Sequence, residues 1–170
     1  NLNAQGDSVL RDRILGHLTQ RLQVEVWYRR HPDIDEVPIT VPLIGISLPR
    51  TGSTVLSFLL AQDPHTRSLS RWEAARPCPP PSTVTGLDPR IEQDVAAQHA
   101  TGLKSHVPAG DAAPAECQDL MALDFKAQIF QAFARIPSYS DWLLHADLRS
   151  TYLYERRVLK LLQWRCPEVP

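Results

Sequence analysis

The sequence predicts an α/β chain, an incomplete parallel sheet with a mostly helical remainder. Three adjoining observations predict it. Leu43-Ile44-Gly45-Ile46 is a short apolar run of the kind a strand buried on both faces requires. Pro49-Arg50-Thr51-Gly52-Ser53-Thr54 then packs a rigid residue, a cation, a glycine and three hydroxyls into six positions. Val55, Leu56, Phe58, Leu59 and Leu60 follow with the spacing of a helix that has one broad apolar face, stopped by Asp63-Pro64. The order is buried strand, glycine-bearing loop, helix.

The remaining elements fall on either side of this unit. From Asp7, a candidate N-cap, the residues Leu10, Ile14, Leu18, Leu22 and Val26 recur every fourth position with Leu15 beside them, which reads as a helix ending before Pro32 and packed on the sheet by that stripe. Downstream, Thr66 to Trp72 reads as a short second strand with Glu73 at its carboxyl end, where ligands gather in open α/β sheets. Pro77 to Pro81 reads as a stiff extended wall. Pro89 opens a helix with a weak apolar face, and Lys104 to Ala115 is a loop. A helix from about Pro114 carries Leu120, Phe125, Phe130 and Phe133, another starts at Pro137-Ser138, and the last runs from about Asp147 to Trp164 with Leu148, Tyr152, Leu159 and Leu162 along one side. There is no internal repeat.

Composition narrows the classes. A chain of 170 residues, 43% hydrophobic, suits one domain over 1–170, divided into an N-terminal helix and connector (1–40), the strand, loop and helix (41–64), and the rest (65–170). A net charge of −1 gives no general attraction to nucleic acid or to an anionic membrane, so any anion selectivity is local. Cys78, Cys117 and Cys166 are far apart and form no disulfide or zinc pattern. No apolar stretch approaches the roughly 20 residues of a membrane span, and the expectation is a cytoplasmic chain. The first residue, Asn1, and an ending just past a strong helical pattern suggest an N-terminal portion of something longer.

A helix N-terminus preceded by such a loop is an anion site, because its first N–H groups lack partners within the helix and the dipole adds about half a positive charge. Gly52 lets the backbone approach an oxyanion, Arg50 adds a forked cation, and Thr51, Ser53 and Thr54 add hydroxyl donors. The general P-loop signature fails, since Ser53 stands where its lysine belongs and Gly45 to Gly52 is the wrong spacing. A serine hydrolase is disfavoured by the absence of a Gly-x-Ser-x-Gly elbow.

Leu48-Pro49-Arg50-Thr51-Gly52-Ser53-Thr54, with Leu56, Leu59 and Leu60 after it, resembles the 5′-phosphosulfate loop of the bacterial sulfotransferases that use 3′-phosphoadenosine 5′-phosphosulfate. The resemblance continues through Arg29-Arg30-His31-Pro32, Ala61-Gln62-Asp63-Pro64, Arg71-Trp72-Glu73 and the cluster Arg76 to Pro81. It extends to Ile136-Pro137-Ser138-Tyr139 with Trp142, and to Arg156 to Trp164. It implies a P-loop-like sulfotransferase fold, and a sulfuryl transfer from that co-substrate to a small-molecule or lipid-like alcohol without a metal. It also implies that the part holding the nucleotide 3′-phosphate is missing from this chain. By resemblance the co-substrate is held by Arg50, Thr51, Gly52, Ser53 and Thr54, Arg50 stabilises the charge on the leaving oxygen, and Glu73 is the candidate base. For Glu73 the rival reading is an ion pair with Arg71 or Arg76 that fixes the loop. For the whole chain, the rivals are an inactive truncated remnant and a kinase-like nucleotide-binding protein. Trp72, Phe125, Phe130 and Phe133 hint at an apolar acceptor pocket, although core aromatics look the same in sequence.

Overall fold

The computed structural model describes residues 3–40, 42–48, 51–100 and 113–166, without the side chains of 98–100. Among these residues the secondary structure is helical: α1 (Ala4–Arg30), α2 (Ser53–Leu60), α3 (Arg71–Ala75), α4 (Pro89–Ala100), α5 (Cys117–Met121), α6 (Phe130–Phe133), α7 (Pro137–His145) and α8 (Arg149–Gln163). Short 3-10 turns at Pro32–Glu36, Pro81–Thr83 and Ala122–Asp124 link them.

No strand forms among the described residues, which corrects the expected incomplete parallel sheet at both of its positions. Residues 42–48 are extended in sequence character but unpaired, and Leu43 and Ile46 are 80% and 93% exposed. A strand is stabilised only through neighbours that take up its N–H and C=O groups, and none pairs with it among the described residues. The expected strand at Thr66 to Trp72 is replaced by a single antiparallel bridge between Ser70 and Pro114, after which the chain turns directly into α3. There, Ser70 and Glu73 form a capping box, and that local hydrogen bonding favours helix over strand.

The core lies between α1, the Pro32–Glu36 turn, α3, α5 and α8. Val24, Tyr28, Ile34, Ala74, Leu120, Leu123, Tyr154, Val158, Leu161, Leu162 and Trp164 pack together there. Helix α1 starts earlier than expected, capped by the Asn3 side chain, which accepts from the Gly6 N–H at 2.7 Å, and not by Asp7. Its buried face is Val24 and Tyr28, whereas Ile14, Leu15, Leu18, Leu22 and Val26 of the expected packing stripe are exposed. The inward face is held by polar contacts instead. Arg21 pairs with Asp124 at 2.7 Å, and the Tyr28 hydroxyl donates to the Arg157 carbonyl at 2.8 Å.

Helix α8 runs where expected, but its buried side is Thr151, Tyr154, Glu155, Val158, Leu161 and Leu162, with Tyr152 exposed. The long helix expected from about Pro114 is broken into α5, a 3-10 turn and α6, with Phe125 at φ 58° breaking the run. Phe125 and Phe130 stack at 5.9 Å with His17 edge-on to both, so these rings are packing elements, and Phe133 is partly exposed under the Arg13 guanidinium. The proline wall is shaped by a cis bond at Cys78-Pro79 and a 3-10 turn from Pro81, so it is not a continuous extended run. The loop predicted from Lys104 to Ala115 lies mostly outside the described residues.

Candidate functional site

Gly52 is the N-cap of α2 and takes φ 87°, ψ 11°, a left-handed conformation that glycine alone adopts without strain. A Cβ built there would meet nothing within 4 Å, so the surroundings are open and the backbone conformation is what demands glycine. Leu56 N–H donates to the Gly52 carbonyl at 3.1 Å, which makes this the first turn of the helix. The N–H groups of Ser53, Thr54 and Val55 precede any i to i−4 bond and are free by geometry to bind an anion. The Thr51 hydroxyl donates to the Leu48 carbonyl at 2.7 Å and tethers the loop to the segment before it. Thr51, Gly52, Ser53 and Thr54 are all exposed. Arg50, expected to supply the charge, lies outside the described residues together with Pro49.

Glu73 is placed differently. It sits in the first turn of α3 and is 3% exposed. One carboxylate oxygen accepts from Arg67 at 2.5 Å and the other from the Ser70 N–H at 3.0 Å. Burial pushes the Glu73 carboxyl above its ordinary value, while Arg67 and the Ser70 N–H pull the other way. Its ion-pair partner is Arg67, not the Arg71 or Arg76 anticipated. Arg71 is engaged elsewhere, with Asp94 at 2.8 Å. Arg67 also reaches the Leu162 carbonyl at 3.4 Å, at the C-terminal end of α8, where the helix dipole favours a cation. The loop and Glu73 therefore stand on separate elements, one open to solvent and one enclosed.

A second buried ion pair lies in the same layer. The Arg90 guanidinium grips both oxygens of Asp88 at 2.9 and 2.6 Å, donates to the Arg76 carbonyl at 2.6 Å, and lies over the Trp72 ring at 4.8 Å. Asp88 also accepts from the Arg90 N–H at 2.9 Å, and this contact, with Pro89 opening α4, is the cue that sequence reading could have used. Neither Arg67 nor this pair was anticipated. For Arg67 no local pattern existed, because its partners are six and 95 positions away. Among the described residues no group of His, Cys, Asp and Glu side chains is arranged to hold a metal ion.

Residues 42–163 match the model of the sulfotransferase family. The chain belongs to that family. Two solved sulfotransferases share its structure. The chain superposes on STF9 from Mycobacterium avium with 36% identity and a TM-score of 0.81, covering 95% of this chain and 43% of that one. On STF1 from Mycobacterium tuberculosis H37Rv the identity is 29% and the TM-score 0.79, over 95% of this chain and 46% of the other. A comparison with curated proteins finds no match. This sulfotransferase chain thus spans less than half the length of these solved relatives. Among its described residues no helix is long and apolar enough to cross a membrane.

Proposed function

We propose that this sulfotransferase chain carries the phosphosulfate-binding part of an enzyme that moves a sulfuryl group from 3′-phosphoadenosine 5′-phosphosulfate to an acceptor hydroxyl in the cytoplasm. The observation that carries the reading is Gly52 at positive φ, open on its free side, at the head of α2 within the matched segment. In this reading the Ser53 and Thr54 N–H groups and hydroxyls hold the 5′-phosphosulfate, with Thr51 fixing the loop. The acceptor oxygen attacks sulfur in line, the sulfur–oxygen bond to the phosphate breaks, and adenosine 3′,5′-bisphosphate departs. Arg50 stabilises the charge gathering on the leaving oxygen, and as a guanidinium it stays protonated throughout. The acceptor proton passes to Glu73. The upward shift that burial gives Glu73 is the direction a general base needs, and Arg67 opposes it. The acceptor is a small or lipid-like alcohol, and no metal takes part.

A second reading is an inactive remnant, in which the exposed loop at the head of α2 holds no nucleotide. Isothermal titration of the chain with adenosine 3′,5′-bisphosphate, with and without magnesium, separates the two. Magnesium-independent binding is expected for a working donor site, and no binding identifies a remnant. In a protein competent for transfer, Arg50→Ala abolishes turnover. Glu73→Gln lowers kcat by about 100-fold or more with nucleotide affinity nearly unchanged. Equal loss of turnover and nucleotide binding in Glu73→Gln makes Glu73 a structural residue instead.

A further inference from the structure

Helix α1 carries a second face that the core does not use. At 3.6 residues per turn, Arg11, Leu15, Leu18, Leu22 and Arg29 fall within about 60° of one another, on the side of the helix away from Val24. Ile14, Leu15, Leu18, Leu22 and Val26, on or beside this seam, are 38% to 67% exposed. A contiguous apolar stripe of this kind marks an interaction site. The charges around it are symmetrical. Ile14, Arg11 and Asp7 stand four, seven and eleven positions before Leu18, and Leu22, Glu25 and Arg29 stand the same distances after it. A two-fold axis through Leu18 therefore sets Leu18 on Leu18, Ile14 on Leu22, Arg11 on Glu25 and Asp7 on Arg29, with every pair repeated by symmetry. A parallel copy sets Asp7, Arg11, Glu25 and Arg29 each on its own kind, which is repulsive at all four positions.

We propose that the occupant of this face is a second copy of the chain, packed antiparallel on α1 about a two-fold axis at Leu18. The self-complementary order of charges is what selects it, since an unrelated partner gives no reason for the pattern to read the same from both ends. Contacts within one chain leave these charges available. Arg11 and Asp7 lie 3.8 Å apart with side chains 72% and 62% exposed, a pair worth little in water. Glu25 holds Arg157 through Oε2 at 3.2 Å, and its side chain is still 41% exposed. Leu22 and Val26 wall a surface hollow with Trp27, Cys78 and Pro79, and in the antiparallel pair Leu15 of each copy enters the hollow of the other. The contact runs from Asp7 to Arg29, about 33 Å of helix, at the small end of specific interfaces, so a dissociation constant of about 10 µM is expected. The interface goes beyond the donor chemistry and does not depend on which anion the loop binds.

The test is sedimentation equilibrium of the 170-residue chain between about 1 and about 200 µM. The expected result is a monomer at the lower end that doubles in mass at the upper end. Leu18→Asp brings two carboxylates together at the axis, and is expected to leave the chain monomeric throughout with its helical circular dichroism unaltered. Asp7→Lys and Arg29→Glu, both at exposed positions, each weaken the dimer by about 10-fold, and the double variant recovers the original affinity because the exchanged charges attract again. A chain monomeric throughout gives the stripe to a different partner and overturns the proposal. An assembly larger than a dimer, a dimer indifferent to Leu18→Asp, or charge reversals whose effects add instead of cancelling overturn it as well. No nucleotide is present in this experiment, so failure of the bisphosphate titration and failure of dimerisation are separate outcomes.

Discussion

Glu73 shows how one carboxylate is held between two opposing demands. Its side chain is 4% exposed, against 24% for its partner Arg67. Burial favours the neutral acid, whereas the guanidinium and the Ser70 N–H favour the anion, and burial prevails. Arg67→Met leaves the anion enclosed without its cation and is expected to cost about 3 kcal/mol at pH 7, read from the urea midpoint. The folded-state pKa of Glu73 is raised further in that variant, so the folded protein binds the extra proton over a wider range and stability falls as pH rises through it. The deficit at pH 4.5 is accordingly smaller than at pH 7. An equal deficit at both pH values would mean that Arg67 acts through packing or the Leu162 carbonyl and not through charge.

At the scale of elements, α1 illustrates how periodicity finds a helix yet misplaces its buried face. Leu22 belongs to the most regular apolar stripe of the sequence and is 67% exposed, while Val24 is fully buried against the cluster of α5 and α8. The inward face was hidden because it is made of Tyr28, Arg21 and Gln20, whose donors reach the Arg157 carbonyl, Asp124 and the Ala75 carbonyl. Leu22→Ser is expected to change stability by no more than about 0.5 kcal/mol, and Val24→Ala to cost about 2 kcal/mol, by denaturant unfolding of the two variants. The reverse ranking would place the regular stripe in the interface. Elements opened by proline were the readable ones. Pro89 and Pro137 begin α4 and α7 as expected, because a missing N–H and a fixed φ are local facts.

Across the molecule, acids shifted in opposite directions contribute to the pH response. Asp119 on α5 is pushed up to about 6 by burial and by Glu116 and Asp94, against the pull of Arg71 and Arg13. Asp88 and Asp124 lie below the ordinary carboxylate range. For Asp88 the main cause is its hydrogen bonding to Arg90. For Asp124, Arg21, Thr151 and Lys126 outweigh the effect of burial. The two kinds act in opposite directions. The raised acid lowers stability as pH climbs from about 4 to about 6, and the depressed acids remove stability as pH falls below about 4. Asp119→Asn is expected to gain about 1 kcal/mol at pH 7.5 and nothing at pH 4, in thermal unfolding at the two pH values. A gain that persists at pH 4 assigns the effect to something other than ionisation.

What the sequence determined by itself was local: the glycine-bearing turn at the head of α2, the proline-started helices, and a family resemblance spread over most of the chain. These depend on backbone preferences and on residues adjacent in the chain, which a linear reading contains. Tertiary structure decided the rest. It chose Arg67 as the partner of Glu73, laid the Arg90 guanidinium over Trp72, turned the regular stripe of α1 outward and left 42–48 unpaired. The physical reason is common to all four. Burial and strand pairing are properties of what lies opposite a residue in space, and an apolar run becomes a strand only when a neighbour takes up its hydrogen bonds.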